Sequence, residues 1–233
     1  MIITPIAHFR SAFPTKFGVP RQSGIIEELK GRVVFEPTYR NVDALRGLEG
    51  FDYLWLVWEF SVNKTREERG ATAWQPTVRP PLLGGNTQMG VFATRSPYRP
   101  NPLGLSSVRI DCIELTDKEG PVIHVLGADL MDGTPIYDIK PYVTYADCHP
   151  NARSGFVDER RWQELAVEFP EHLKALIPSE SLAALTRVLA LDPRPQYQDN
   201  PEKVYGMPYE GYDIRFRVAD GVLIVVDVKN IHS

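Results

Sequence analysis

The chain has 233 residues, and 26 Lys and Arg against 30 Asp and Glu give a formal net charge of −4 at pH 7. With 43% hydrophobic and 24% charged residues it has the composition of an ordinary folded protein, which excludes wholesale disorder and any need for metal or disulfide staples. The mild acidity excludes a protein that coats nucleic acid by bulk charge, and no apolar run approaches the roughly 18 residues of a membrane span.

The first ten residues lack a basic stretch followed by an apolar one, so no secretory signal is expected. Cys112 and Cys148 lie far apart and in no CxxC pair, which argues against a zinc module and fits a reducing cytosol. The five histidines show no metal spacing, and no metal site is expected. Residues 16–24 put Arg21, Gln22 and Gly24 on one loop, where backbone can approach a ligand closely. The stretch 51–60 is a nearly continuous apolar and aromatic run, as in a strand buried on both faces. Six of the 20 prolines fall between Gln75 and Gly104, interrupted by a strand-like segment from Met89 to Arg95. Val108, Ile110 and Cys112 alternate with Arg109 and Asp111, and 122–126 and 136–143 are further strands. Strand geometry puts Asp138, Lys140 and Tyr142 on one face.

The texture changes near Tyr145. Residues 158–176 carry Trp162, Leu165, Ala166 and Phe169 at helical spacing, with Pro170 as a kink. Ser179 is placed to cap a second helix with Leu182, Leu185 and Leu189 inward. Tyr212 to Val218 alternates, and Asp220-Gly221 then signals a hairpin into 222–226. The expected fold is therefore mainly β with an α+β tail: an N-terminal β-barrel over 1–157 and a small C-terminal α+β domain over 158–233. A Rossmann fold would need alternating long helices, and there is no Gly-x-Gly, P-loop, HExxH or GxSxG string.

Two stretches stand out chemically. Residues 71–110 hold Arg79, Arg95, Arg99 and Arg109 but no Asp, Glu or Lys, a local positive field suited to phosphate or carboxylate. Residues 129–142 gather Asp129, Asp132, Asp138, Lys140 and Tyr142, groups able to do acid–base work or bind a ribose and an amine. Taken singly, each is equally a solvated turn or an exposed ion pair.

In combination these segments resemble the TsaA/YaeB family. The resemblance rests on FGVPRQSG at 17–24, DALRGLEGF at 43–51, PTVRPP at 76–81, LGGN at 83–86, MGVFATRS at 89–96, RPNPLG at 99–104, DGTP at 132–135 and DIKPY at 138–142. It covers most of the first 145 residues and, more loosely, the tail.

The resemblance implies a non-Rossmann β-barrel that binds S-adenosylmethionine, a homodimer in the cytoplasm without membrane or metal, and a tRNA substrate. The implied reaction methylates N6 of N6-threonylcarbamoyladenosine, just 3′ of the anticodon. It assigns to the cofactor Arg21, Gln22, Ser23, Gly24, Ile25, Ser61, Val62, Arg95, Leu105, Gly127, Ala128, Asp129 and Leu130. Ser61 and Val62 depart from the family's His and Gln. Asp132 and Asp138 are the expected general bases, with Arg99, Asn101, Lys140 and Tyr142 facing the substrate. A non-catalytic barrel that binds adenosylmethionine or RNA, or a methyltransferase with another acceptor, fits the same residues.

Overall fold

In β3 (Tyr53–Glu59), Leu54, Leu56 and Trp58 are buried while Tyr53, Trp55, Val57 and Glu59 face outward. The computed structural model, which describes residues 2–61, 74–159, 163–194 and 200–231, repeats this period-2 pattern around a closed barrel. The N-terminal part runs β1 (Ala7–Ser11), β2 (Lys30–Phe35), β3, β4 (Thr77–Val78), β5 (Met89–Gly90), β6 (Leu103–Thr116), β7 (Gly120–Leu126) and β8 (Pro135–Pro141). Six of these close in the order β1-β2-β7-β6-β3-β8, antiparallel at every seam. Phe9, Val33, Leu54, Leu56, Val108, Ile123 and Ile136 fill the interior. Closure leaves these strands no free edge.

Two expectations fail in this part, each for a physical reason. The aromatic run is not buried on both faces, because a closed barrel has one core and, among the described residues, no second layer covers the outside of β3. Instead Trp55 and Tyr53 pack against Tyr142 on the outer surface, at ring separations of 5.8 and 6.1 Å. The strand expected over 89–95 is only β5, which pairs with β4. A 3-10 turn, Val91–Ala93, follows it, closed by the Thr94 hydroxyl donating to the Val91 carbonyl at 2.9 Å.

After β8 come α1 (Thr144–Asp147), whose Asp147 accepts from the Trp55 indole N–H of β3, and α2 (Phe156–Glu159); the C-terminal part then runs β9 (Ala166–Glu168), α3 (Glu171–Lys174), α4 (Ser179–Ala190), β10 (Tyr205–Tyr209), β11 (Tyr212–Ala219) and β12 (Val222–Asn230). Its sheet has the order β10-β11-β12-β9, with β9 parallel to β12. The helix expected over 158–176 is broken into α2, β9 and α3; Trp162 lies outside the described residues. The edge of β12 offers 166–168 a backbone ladder, and that tertiary pairing overrides the helical spacing of the side chains. Ser179 is not the cap of α4 but its first residue; Pro178 holds the cap position and makes no side-chain bond there. The helix buries Ala184, Leu185, Val188 and Leu189 as one stripe. The hairpin forms as expected, with Asp220 and Gly221 at φ of 50° and 76°.

A second core gathers Leu185, Leu189, Met207, Ile214 and Phe216 of this part. It also takes in Phe13, Ile26 and Leu29, which belong to the connection between β1 and β2. That connection leaves the barrel, packs into the second core and returns. Among the described residues no helix is long and apolar enough to cross a membrane.

Candidate active site

The connection between β1 and β2, the end of β3 and the start of β6 meet over a cavity of about 520 Å³. The end of β3 supplies Trp55, Trp58 and Glu59, followed by Phe60 and Ser61. The β1–β2 connection supplies Lys16, Arg21 and Gln22, the proline-stiffened stretch before β6 supplies Arg95, Tyr98 and Arg99, and the start of β6 supplies Leu105. Asp129, Met131 and Thr134, just before β8, complete the wall. Four cationic side chains thus face two carboxylates, Glu59 and Asp129, across aromatic walls.

Asp129 is the most unusual group. It stands between Ala128 and Leu130, whose side chains are buried in the barrel core. The Trp58 indole N–H donates to the Ser106 hydroxyl at 3.0 Å, and that hydroxyl donates to Asp129 Oδ1 at 2.5 Å. The backbone of Ser23 lies close enough to favour the charged carboxylate. Burial pushes the Asp129 carboxyl above its ordinary range, opposed by the Ser106 bond, backbone N–H groups and the Arg95 charge.

The loops around it are pinned to one another. Gly24 N–H donates to the Gly127 carbonyl and Gly127 N–H to the Leu29 carbonyl, both at 2.8 Å. The segments 23–25 and 127–130, far apart in sequence, therefore lie side by side. Arg95 donates to the Gln22 side-chain carbonyl. Arg99 Nη1 donates to the carbonyls of Thr94 and Ser96 at 3.0 and 3.1 Å, which braces the loop that carries both arginines. Burial lowers the pKa of the Arg21 guanidinium, against the charge of Asp192. Tyr137 donates to Glu59, and burial together with that bond pushes the phenol up to about 12, so it remains a donor.

Of the residues assigned to the cofactor by resemblance, Arg21, Gln22, Ser61, Arg95, Leu105 and Asp129 border the cavity. Ser23, Gly24 and Gly127 form the pinned backbone beside it. The Ile25 side chain turns away into the second core, and Val62 lies outside the described residues. Of the expected substrate residues only Arg99 borders the cavity; Asn101, Lys140 and Tyr142 do not. Neither expected base is there. Asp132 accepts from Ser11 N–H at 3.1 Å and pairs with Arg10 at 3.5 Å. Asp138 pairs with Lys140 at 3.1 Å and borders a different groove, with Ile139 and Pro141.

Sequence reasoning missed Glu59, Trp58 and Ser106. The outward phase of Tyr53, Trp55, Val57 and Glu59 was available in the sequence, whereas the Ser106–Asp129 contact joins β6 to the loop between β7 and β8, which only the closed barrel brings together. Among the described residues no group of three or more His, Cys, Asp or Glu could hold a metal ion.

The chain was compared with known proteins. A family model described as tRNA-methyltransferase O N-terminal domain matches residues 8–148, and one described as TrmO C-terminal domain matches residues 162–231. The tRNA (adenine(37)-N6)-methyltransferase of Escherichia coli (strain K12) is 39% identical over 223 residues, covering 92% of each chain. A protein of the same name from Eikenella corrodens is 41% identical over 185 residues, covering 78% of this chain and 99% of that one. A crystal structure of TrmO from Pseudomonas aeruginosa matches with a TM-score of 0.76 and 31% identity, covering 98% of both chains.

Proposed function

The chain belongs to the tRNA-methyltransferase O family, and from that premise we propose how its cavity works. The protein is an S-adenosylmethionine-dependent methyltransferase acting on N6 of adenine 37 of tRNA. The groups bordering the cavity fit that cofactor. Trp55, Trp58 and Phe60 offer apolar faces to a purine, Asp129 is an acceptor for ribose hydroxyls or an ammonium group, and Arg21 and Arg95 suit a carboxylate. When bound, S-adenosylmethionine supplies a methyl group on a positively charged sulfur. A buried carboxylate in the same cavity favours a cationic ligand.

Arg21, Gln22, Ser23, Gly24, Ser61, Arg95, Leu105 and residues 127–130 are the proposed cofactor residues, Ile25 contributing through its backbone. The proposed acceptor is adenine 37 already bearing a threonylcarbamoyl group on N6. That nitrogen is part of a urea, so its lone pair is delocalised and its proton must leave as the new N–C bond forms. Glu59 takes the proton in this reading, because it borders the cavity and Asp132 and Asp138 do not. Tyr137 holds it in place. Arg99 binds the threonine carboxylate. Alignment of acceptor and donor by these walls supplies much of the rate.

Two further parts complete the proposal. A homodimer would cover exposed apolar surface such as Leu105 at the cavity rim, 54% exposed, and Phe92, 73% exposed. A tRNA acceptor puts the reaction in the cytoplasm. The observation that carries the reading is Asp129, a desolvated carboxylate held by Ser106 at the wall of a cavity otherwise rich in arginine.

The test is incubation with labelled adenosylmethionine and bulk tRNA, with and without the threonylcarbamoyl group, followed by nucleoside mass analysis. Label confined to the hypermodified adenosine is expected. Label on unmodified tRNA would overturn the proposed acceptor, and no label on either would sink methyl transfer to tRNA.

A further inference from the structure

The cofactor reading leaves the C-terminal part without a task, since among the described residues the cavity wall ends at Thr134. The connection between β1 and β2 supplies one. Residues 12–29 form no helix or strand, only turns, so their shape is not set by a backbone ladder. One side of this connection borders the cavity through Lys16, Arg21 and Gln22. The other side is built into the second core through Phe13, Phe17, Ile25 and Ile26.

The contacts are specific. Phe17 stacks on Phe216, with ring centroids 6.5 Å apart and planes at 11°, and Phe13 meets the edge of Tyr209 at 5.4 Å. Gly18 sits at φ +90°, and a Cβ there would lie 2.4 Å from Met207 Sδ, so the chain passes directly against β10. Glu210 N–H donates to the Ala12 carbonyl at 2.9 Å, and Arg187 Nη2 donates to the Ile25 carbonyl at 3.3 Å. Residues 12 to 25 are therefore held at both ends and in the middle by β10, β11 and α4.

We propose that the C-terminal part is the positioning element of the cofactor loop, holding Arg21 to Gly24 in their binding shape through the Phe17–Phe216 and Gly18–Met207 contacts. The inference rests on the cofactor reading given above. A loop without regular structure loses conformational entropy when it closes on a ligand. Packing its far side on a rigid sheet removes that cost beforehand, and the apparent affinity rises with the fraction of molecules in which the loop is formed. The coupling is reciprocal: if the C-terminal sheet promotes cofactor binding, bound cofactor must stabilise the C-terminal sheet by the same factor. A domain that merely accompanies the barrel has no such coupling.

The experiment uses the full-length chain and S-adenosylmethionine itself. Phe17 does not border the cavity, so Phe17→Ala removes packing without removing a ligand contact. The cofactor dissociation constant should rise roughly tenfold, as when the formed loop drops to about a tenth of the population, with kcat at saturating cofactor retained. Phe17→Leu should recover most of the affinity. Val218→Ala, on the same buried face of β11, should lower Tm while leaving affinity unchanged. In the wild type, cofactor should slow amide exchange in β10 and β11, and Phe17→Ala should abolish that protection.

Unchanged affinity in Phe17→Ala, equal weakening by Val218→Ala at equal loss of Tm, or no added protection of β10 and β11 would each overturn the proposal. A wild-type protein that binds no cofactor would sink the methyltransferase reading instead. The inference would then stand or fall on ligand-free exchange at Gly24, whose amide bonds the Gly127 carbonyl and must open faster in Phe17→Ala.

Discussion

The hydroxyl of Ser106 donates to Asp129 Oδ1 at 2.5 Å from within a site where Ser106 is only 1% exposed. This serine has the Trp58 indole N–H on its other side, so one hydroxyl satisfies a buried donor and a buried acceptor together. Leaving either unpaired would cost about 1–3 kcal/mol. A desolvated carboxylate is a poor choice for stability, and such groups concentrate where a ligand makes use of them.

Asp129→Asn should therefore separate stability from binding. Burial raises the carboxyl pKa in the folded chain, so the folded state holds the proton to higher pH than the unfolded one. With that sign, the contribution of Asp129 to stability is fully present below the ordinary carboxylate pKa of about 3.9 and is lost as pH rises through the raised value. Wild type should thus lose stability relative to Asp129→Asn as the pH climbs above the ordinary carboxylate value of about 3.9. Cofactor affinity of the variant should drop by about 1.5–3 kcal/mol, the worth of a charged hydrogen bond. Thermal melts across pH and calorimetry check both halves; a variant that is less stable at neutral pH yet binds normally would contradict the assignment.

Ser106→Ala tests the relay from the other side. It removes the donor that opposes desolvation at Asp129 and strands the Trp58 N–H. The expected loss is about 1–3 kcal/mol of folding stability, with a further rise in the Asp129 pKa. Cofactor binding should then weaken more at acidic than at neutral pH, since more of the carboxyl is protonated. A pH-independent loss of affinity would place the effect in packing alone.

The barrel was legible because its signal is local: the apolar run 51–60, the alternation in 108–112 and the short segments 122–126 and 136–143 each mark a strand bounded by turns. The 166–168 strand was not, because Ala166 and Phe169 keep helical spacing while the deciding bond is to β12, more than fifty residues away. Motif resemblance alone singled out residues 21–25 and 127–130 together; nothing in their composition says that Gly24 and Gly127 bond each other. Asp132 and Asp138 were plausible bases by residue type, yet both are drawn into ion pairs away from the cavity. Glu59 escaped notice because it ends an aromatic strand and carries no motif.

Arg95 and Arg99 should respond differently to truncation. Arg95 bonds Gln22 and lies near Asp129, so Arg95→Ala should weaken cofactor binding by about 1.5–3 kcal/mol. Arg99 bonds through Nη1 to its own loop, and its proposed partner is the threonine carboxylate. Arg99→Ala should raise KM for tRNA with a smaller effect on cofactor affinity. Calorimetry with adenosylmethionine alone decides the matter: equal losses for the two variants would remove the division of labour.

A sensitive position outside the charged groups is Gly104, the glycine that ends the 99–104 motif. It is opposite Trp58 in the β3–β6 register, and a Cβ placed there would meet indole Cε2 at 2.3 Å. The contact atoms belong to a rigid ring that also packs on Phe60 at 4.4 Å, so the indole cannot yield by rotating its tip. The glycine is required because it gives Trp58 a flat seat, and that seat points the indole N–H at Ser106. Gly104→Ala should push Trp58 into the cavity and break the path from Trp58 through Ser106 to Asp129. Overpacking of this kind costs about 1–3 kcal/mol in stability. The loss of affinity should exceed the loss produced by Ser106→Ala, since wall shape and relay fail together. Trp58→Phe in the Gly104→Ala background shortens the offending ring and should restore stability without restoring the affinity that depends on the relay. Full recovery of cofactor binding in that double variant would show that the indole N–H is dispensable and that Trp58 serves the site by shape alone.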